Sequence, residues 1–97
     1  MPQNVISMTI SAGKQILLFE KPHILYRIFL GITALLADSL WHKSWISFDD
    51  PNFYTFYTID GPAKHFELKG DGIPQGDIWV RNASDIDINY TATETLI

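Results

Sequence analysis

The side chains best suited to metal or acid–base chemistry are His23, His42 and His65. Imidazole ligates Zn²⁺ and titrates near neutral pH. The three fall on, or at the starts of, three different expected strands, with none of the short spacings of a metal motif. The plain reading is three surface or edge histidines. The acids Asp49, Asp50, Asp60, Asp71, Asp85 and Asp87 sit mostly in or beside expected turns. Oxygen-rich loops hold Ca²⁺ through six to eight oxygens, but no segment here has the regular spacing of an EF-hand loop. Turn chemistry alone explains aspartates in such places. For nucleophilic catalysis there are many Ser and Thr, no Cys, no Gly-x-Ser-x-Gly elbow and no glycine-rich phosphate loop ahead of a helix. Gly70-Asp71-Gly72, followed by Ile73-Pro74-Gln75-Gly76, reads as a turn. No nucleophile–base pair can be proposed, so the expectation is a non-enzyme with no cofactor and no metal.

The aromatic residues carry more information. Trp41, Trp45, Phe53, Tyr54, Phe56, Tyr57 and Trp79 are many for a chain of 97 residues. Phe53-Tyr54-Thr55-Phe56-Tyr57 would put aromatics on both faces of one strand. One face fills a core; the other is free to bind a subunit or a sugar. Aromatic residues are enriched at interfaces, and exposed apolar patches mark partners. The expected contact residues are Leu36, Leu40, Trp41, Trp45, Tyr54 and Tyr57.

These residues need a scaffold. The length allows one domain, residues 1–97, with one modest core. Hydrophobic residues make up 46% and charged ones 19%, the composition of a folded chain. Without cysteine there is neither a disulfide framework nor a thiolate metal site. A small domain without staples points to an intracellular life or to oligomerisation. The net charge of −4 is uneven: +2 over residues 1–48 and −6 over residues 49–97. Seven scattered bases on an acidic chain make a poor nucleic-acid binder, because phosphate neutralisation needs clustered Lys and Arg. The opening MPQNVISMTISAG has neither the basic nor the long apolar region of a signal peptide. The matches to the glycosylation sequon at Asn82-Ala83-Ser84 and Asn89-Tyr90-Thr91 therefore read as chance.

The greasiest stretch is HILYRIFLGITALLADSLW, residues 23–41. Its longest uncharged run is ten residues, Ile28 to Ala37, against about 20 for a membrane helix. No membrane span is expected. Gly31 disfavours a helix, while Pro22 and the β-branched Ile24, Ile28, Ile32 and Thr33 favour an extended segment. The expectation is a long core strand over 23–33, then a short helix or loop over 34–41. So apolar a connection should pack on a neighbouring subunit or cap one end of the fold.

The rest alternates and is punctuated by turns. Strands are expected at 4–10, 14–19, 42–49, 53–59, 63–69, 77–81 and 85–96, the last with Ile86, Ile88, Tyr90 and Ala92 on one face. Eight strands with turns every 8–12 residues or so predict an all-β, eight-stranded antiparallel sandwich of jelly-roll or Greek-key type.

A family likeness rests on particular runs. They are Trp45-Ile46-Ser47-Phe48-Asp49, Phe66-Glu67-Leu68, Gly76-Asp77-Ile78-Trp79-Val80-Arg81-Asn82 and Asp87-Ile88-Asn89-Tyr90-Thr91-Ala92-Thr93-Glu94. Ser11-Ala12-Gly13 and Leu25-Tyr26-Arg27-Ile28 fit the early part. In rhythm of strands and turns the chain resembles the small β-sandwich virion proteins of tailed bacteriophages. It departs from them in the piece from Thr33 to Trp41, where a short polar hairpin would do. The resemblance implies a capsid decoration or cement protein, or a head or tail accessory protein. It also implies a virion location after assembly in the host cytoplasm, contact with the major capsid protein or other virion proteins, and homo-oligomers with trimers favoured. A small carbohydrate- or ligand-binding sandwich is the alternative.

Overall fold

The computed structural model describes residues 2–37 and 40–97. The described residues form eight strands and no helix: β1 (Gln3–Ile10), β2 (Gln15–Phe19), β3 (Arg27–Leu35), β4 (His42–Phe48), β5 (Tyr57–Gly61), β6 (His65–Lys69), β7 (Ile78–Asn82) and β8 (Ile88–Leu96). They build two four-stranded antiparallel sheets, ordered β1-β8-β3-β6 and β2-β7-β4-β5. The first strand pairs with the last, the second with the seventh, the third with the sixth and the fourth with the fifth. That is one long hairpin rolled up, the jelly-roll arrangement.

The core lies between the sheets. Ile10, Leu30, Ile32, Ile88 and Tyr90 come from one sheet, and Phe19, Ile46, Ile59, Ile78 and Val80 from the other. Alternation along β8 shows why these sequences become strands: Ile88, Tyr90, Ala92 and Glu94 are buried, while Asn89 is exposed and Thr91 and Thr93 are half-buried. A period of two places one set inward on every strand.

The expected eight strands are present, with corrections at three of them. The third begins at Arg27 and runs to Leu35, where residues 23–33 were expected. Ile24 is 89% exposed and no core residue. Pairing with β8 fixes these limits. It runs from Arg27↔Leu96 to Leu35↔Asn89, with an irregularity between Arg27 and Phe29. The short helix considered for residues 34–41 is not formed by the described ones: Ala34 and Leu35 finish β3, and 36, 37, 40 and 41 are irregular. Asp38 and Ser39 lie outside the described residues. The fifth strand starts at Tyr57 rather than residue 53. Phe53 has φ 55°, which breaks an extended chain, and residues 49–56 turn back over the outer face of the second sheet. The eighth starts at Ile88 rather than residue 85, and Ile86 is exposed. Asp87 is held in the preceding turn by the Ala12 N–H at 3.0 Å.

Strand reversal divides the connections between two ends of the sandwich. The β1–β2, β3–β4, β5–β6 and β7–β8 connections share one end, and the β2–β3, β4–β5 and β6–β7 connections share the other.

Candidate functional site

At the first end, Trp41 precedes β4 and is 74% exposed. Its ring lies against Gly61, the last residue of β5, which pairs with His42. Gly61 has φ +68°, and a Cβ there would stand 2.7 Å from the indole ring. Only glycine meets both demands at low cost. The indole walls an open depression of about 380 Å³, whose other side chains include Lys43, Asp60, Ser84 and Asp85. Leu35, Leu40 and Ile86 are exposed at the same end. The β7–β8 turn is pinned there by Asn82, which is fully buried. Its amide donates to the Ile10 and Ile86 carbonyls at 2.9 and 2.7 Å, and its side-chain oxygen accepts from Ser84 N–H. Ser84 Oγ accepts in turn from Lys43 N–H at 2.7 Å.

Beneath the depression runs a buried polar chain that the sequence did not announce. His42 Nε2 lies 2.6 Å from the Ala63 carbonyl, so that nitrogen carries the proton. With the imidazole neutral, His42 Nδ1 accepts from Ser44 Oγ at 3.1 Å, and Ser44 Oγ in turn accepts from the Tyr90 hydroxyl. A serine beside a histidine is the beginning of a nucleophile–base pair. Here Ser44 is fully buried between the sheets, so a substrate carbonyl cannot reach its oxygen. Burial pushes the Tyr90 phenol above its ordinary pKa of 10.0, with the Ser44 hydrogen bond opposing. The chain joins the two sheets through satisfied hydrogen bonds, which buried polar groups require.

The second end is organised by Arg27. It is 1% exposed, and its Nε donates to Glu94 Oε2 at 2.9 Å. Its other nitrogens donate to the Pro74, Gly76 and Glu20 carbonyls at 2.8, 3.0 and 3.4 Å. Gln75 closes the group, accepting from Arg27 N–H and donating to its carbonyl at 2.6 and 2.7 Å. Asn4 donates to the second Glu94 oxygen at 2.9 Å. The planar guanidinium suits this fan of acceptors, where a lysine ammonium would reach only some of them.

The expected contact residues divide between these places. Trp41 and Leu40 stand exposed at the first end, and Leu36 packs part-buried against the core. Trp45 is half-buried on the outer face of the second sheet, stacked on Phe56 at 4.4 Å between centroids. The Arg81 guanidinium sits over Trp45 and Phe53, 5.9 and 5.2 Å from their centroids. The 49–56 connection thus covers that face with the chain's own aromatics. Gln15 ties it down by donating to the Pro51 carbonyl at 2.7 Å. Tyr54 is 86% exposed on the same connection. Tyr57 is half exposed where the two sheets meet, touching Phe48 and Phe66.

The loop aspartates mostly accept backbone hydrogen bonds. Asp49 takes Asp77 N–H, Asp77 takes Lys21 N–H, and Asp50 takes Asn52 and Thr55 N–H. The histidines are dispersed: His42 is in the core, His23 is exposed, and His65 bridges Thr33 and Glu67 on the surface. Hydrogen bonds from His65 and then Lys69 hold the Glu67 carboxyl below its ordinary pKa. Among the described residues no three His, Cys, Asp or Glu side chains converge as a metal site, and no helix is long and apolar enough to cross a membrane.

Neither the protein-family models nor the curated proteins yield a significant match to this chain.

Proposed function

We propose that the chain is a structural protein of a tailed-bacteriophage virion that acts by protein–protein contact, as a decoration or cement protein stabilising the head shell. The observation that supports this best is the exposed Trp41, seated on Gly61 and flanked by Leu40, at one end of a jelly roll. A large aromatic exposed to water is a ready anchor for a protein partner. Jelly rolls occur among viral capsid domains and also among lectins, so the fold favours this reading by analogy alone. The partner would be the major capsid protein or another virion protein, and the location the assembled particle. The reading predicts that the chain is found in fixed stoichiometry in purified particles from its source. It also predicts that added wild-type protein co-sediments with particles stripped of it, while Trp41→Ala does not. Absence from purified particles would sink the proposal.

A carbohydrate-binding role is the second reading, and the depression itself favours it. An aromatic wall beside Lys43, Asp60, Ser84 and Asp85 offers a sugar both an apolar face and hydrogen-bonding groups. Saturable binding on a glycan array, lost in Trp41→Ala, would support it; no binding to any glycan would remove it.

A further inference from the structure

Among the described residues the sandwich has four edge strands, and only one of these lacks a device against pairing with another chain. In the second sheet, β2 is five residues long with a register shift between Leu17 and Phe19, and β5 is five residues long and stops at Gly61-Pro62. In the first sheet, β6 is five residues long and carries His65, Glu67 and Lys69, with Lys69 Nζ 3.3 Å from Glu67. Shortness, irregularity and charge are the usual protections of an edge. By contrast β1 has eight residues, QNVISMTI, with no charge and no proline. It pairs with β8 in unbroken register from Gln3↔Thr95 to Ile10↔Ile88.

The direction of its free groups follows from the ladder. Leu96 N–H donates to the Pro2 carbonyl at 2.9 Å, which turns the backbone of residue 2 toward β8. Alternation along an antiparallel strand then turns Asn4, Ile6, Met8 and Ile10 toward β8, and Gln3, Val5, Ser7 and Thr9 toward the open edge. An open groove of about 620 Å³ runs beside this edge, lined by residues 3–6 of β1 and by Leu18, Phe19 and Glu20 near the end of β2. The outward side chains of β1 and β8 (Gln3, Val5, Ser7, Thr9, Asn89, Thr91, Thr93, Thr95) are all uncharged. Two copies of a chain of net charge −4 repel each other. A neutral surface is where that repulsion is weakest.

The geometry points to β1 of a second copy as the occupant of this edge, joined antiparallel about a two-fold axis to make one continuous sheet through both sandwiches. An antiparallel edge is self-complementary, as a two-fold contact must be. One register uses all four free residues: Gln3 opposite Thr9, Val5 opposite Ser7, and the two Ile6 residues facing across the axis. Each of the four hydrogen-bonded pairs exchanges two backbone bonds. The inference does not depend on the virion reading. It gives a dimer, whereas the phage resemblance favours a trimer among symmetric homo-oligomers.

The test uses the whole chain. Native mass spectrometry and sedimentation are expected to give twice the 11.1 kDa chain mass. Hydrogen exchange at Gln3, Val5, Ser7 and Thr9 should be slow in the dimer. Ser7→Pro removes an outward N–H without breaking a β1–β8 bond, and Val5→Lys puts charge on the edge. Both should give single chains with the wild-type circular dichroism spectrum; if Ser7→Pro does not fold, Val5→Lys and the exchange data decide. Ile6→Cys, the only thiol in that variant, should form a disulfide-linked dimer on oxidation, since facing non-hydrogen-bonded residues stand about 4.5 Å apart. A monomer at millimolar concentration overturns the inference. So does a trimer or other oligomer whose four outward amides exchange like loop amides, or one whose mass Val5→Lys leaves unchanged. Particle binding through Trp41 is read separately by co-sedimentation, so either idea can fail alone.

Discussion

Arg27 and Trp41 stand at opposite ends of the same sandwich and would both attract notice as site residues. Arg27 is a lone charge in a greasy strand, and the fold gives it Glu94 and three backbone carbonyls, with almost no exposure. Trp41 is an apolar ring that the fold leaves in water and fixes against Gly61. The contrast teaches how to sort them. A polar group whose partners are all supplied from within is holding the chain together. An apolar group left without cover is available to something outside.

Stability measurements can break this contrast, and the largest effect is expected at Arg27. Arg27→Ala leaves Glu94 buried without its cation and should cost about 3–5 kcal/mol in urea unfolding. Arg27→Lys should recover little, because a single ammonium cannot serve the same spread of acceptors. A loss below about 1 kcal/mol would mean that Arg27 is no structural centre. Next comes Gly61→Ala, which combines a left-handed backbone with a collision against the indole; about 1–2 kcal/mol is expected, with a change in tryptophan fluorescence as Trp41 is displaced. Unchanged fluorescence would show that the ring does not rest there.

A smaller and pH-dependent effect belongs to Tyr90, which links the Trp41 end to the core. Its folded pKa lies above the unfolded value near 10.0. Its contribution is therefore whole below that pH and is lost as pH rises through the folded pKa. The urea midpoint of the wild type should fall above pH 10 more steeply than that of Tyr90→Phe, and parallel curves would exclude the effect. The smallest change is expected for Trp41→Ala, within about 0.5 kcal/mol, as for surface substitutions generally. Particle or glycan binding should nevertheless disappear. If Trp41→Ala instead unfolds the chain as Arg27→Ala does, the two ends are alike and Trp41 is a structural residue.

Part of this is visible in the sequence and part is not. The alternation of Ile88, Tyr90, Ala92 and Glu94 marks a strand with an inner face, and it stays a strand in the fold. The Phe53-Tyr54-Thr55-Phe56-Tyr57 run has the same strand-like composition, yet only its last residue enters β5. Phe53 and Phe56 pack with Trp45 and Arg81 instead of extending a ladder. The apolar residues of 23–26 were misleading for a related reason. Before Arg27 the chain makes the Tyr26–Ile97 exchange of backbone bonds, and the regular ladder has ended. Of the expected contact residues, Trp41 is legible as a large aromatic beside a break in the pattern. Trp45 looks the same in sequence and differs only in what folds over it.

The all-β class, the number of strands and most of the turns can be read from the chain's residues alone. Those signals are local: a period of two, β-branched and aromatic residues, and Gly, Pro and Asp at the reversals. Which strands are neighbours and which groups find partners is set by the three-dimensional fold. Arg27 meets Glu94 across 67 positions, and Ser44 meets Tyr90 across 46. β1 is an edge because β8 returns to its one side and nothing in the described chain returns to the other. Such pairings join segments far apart in the chain, so no local pattern encodes them. They depend on how the rolled hairpin closes.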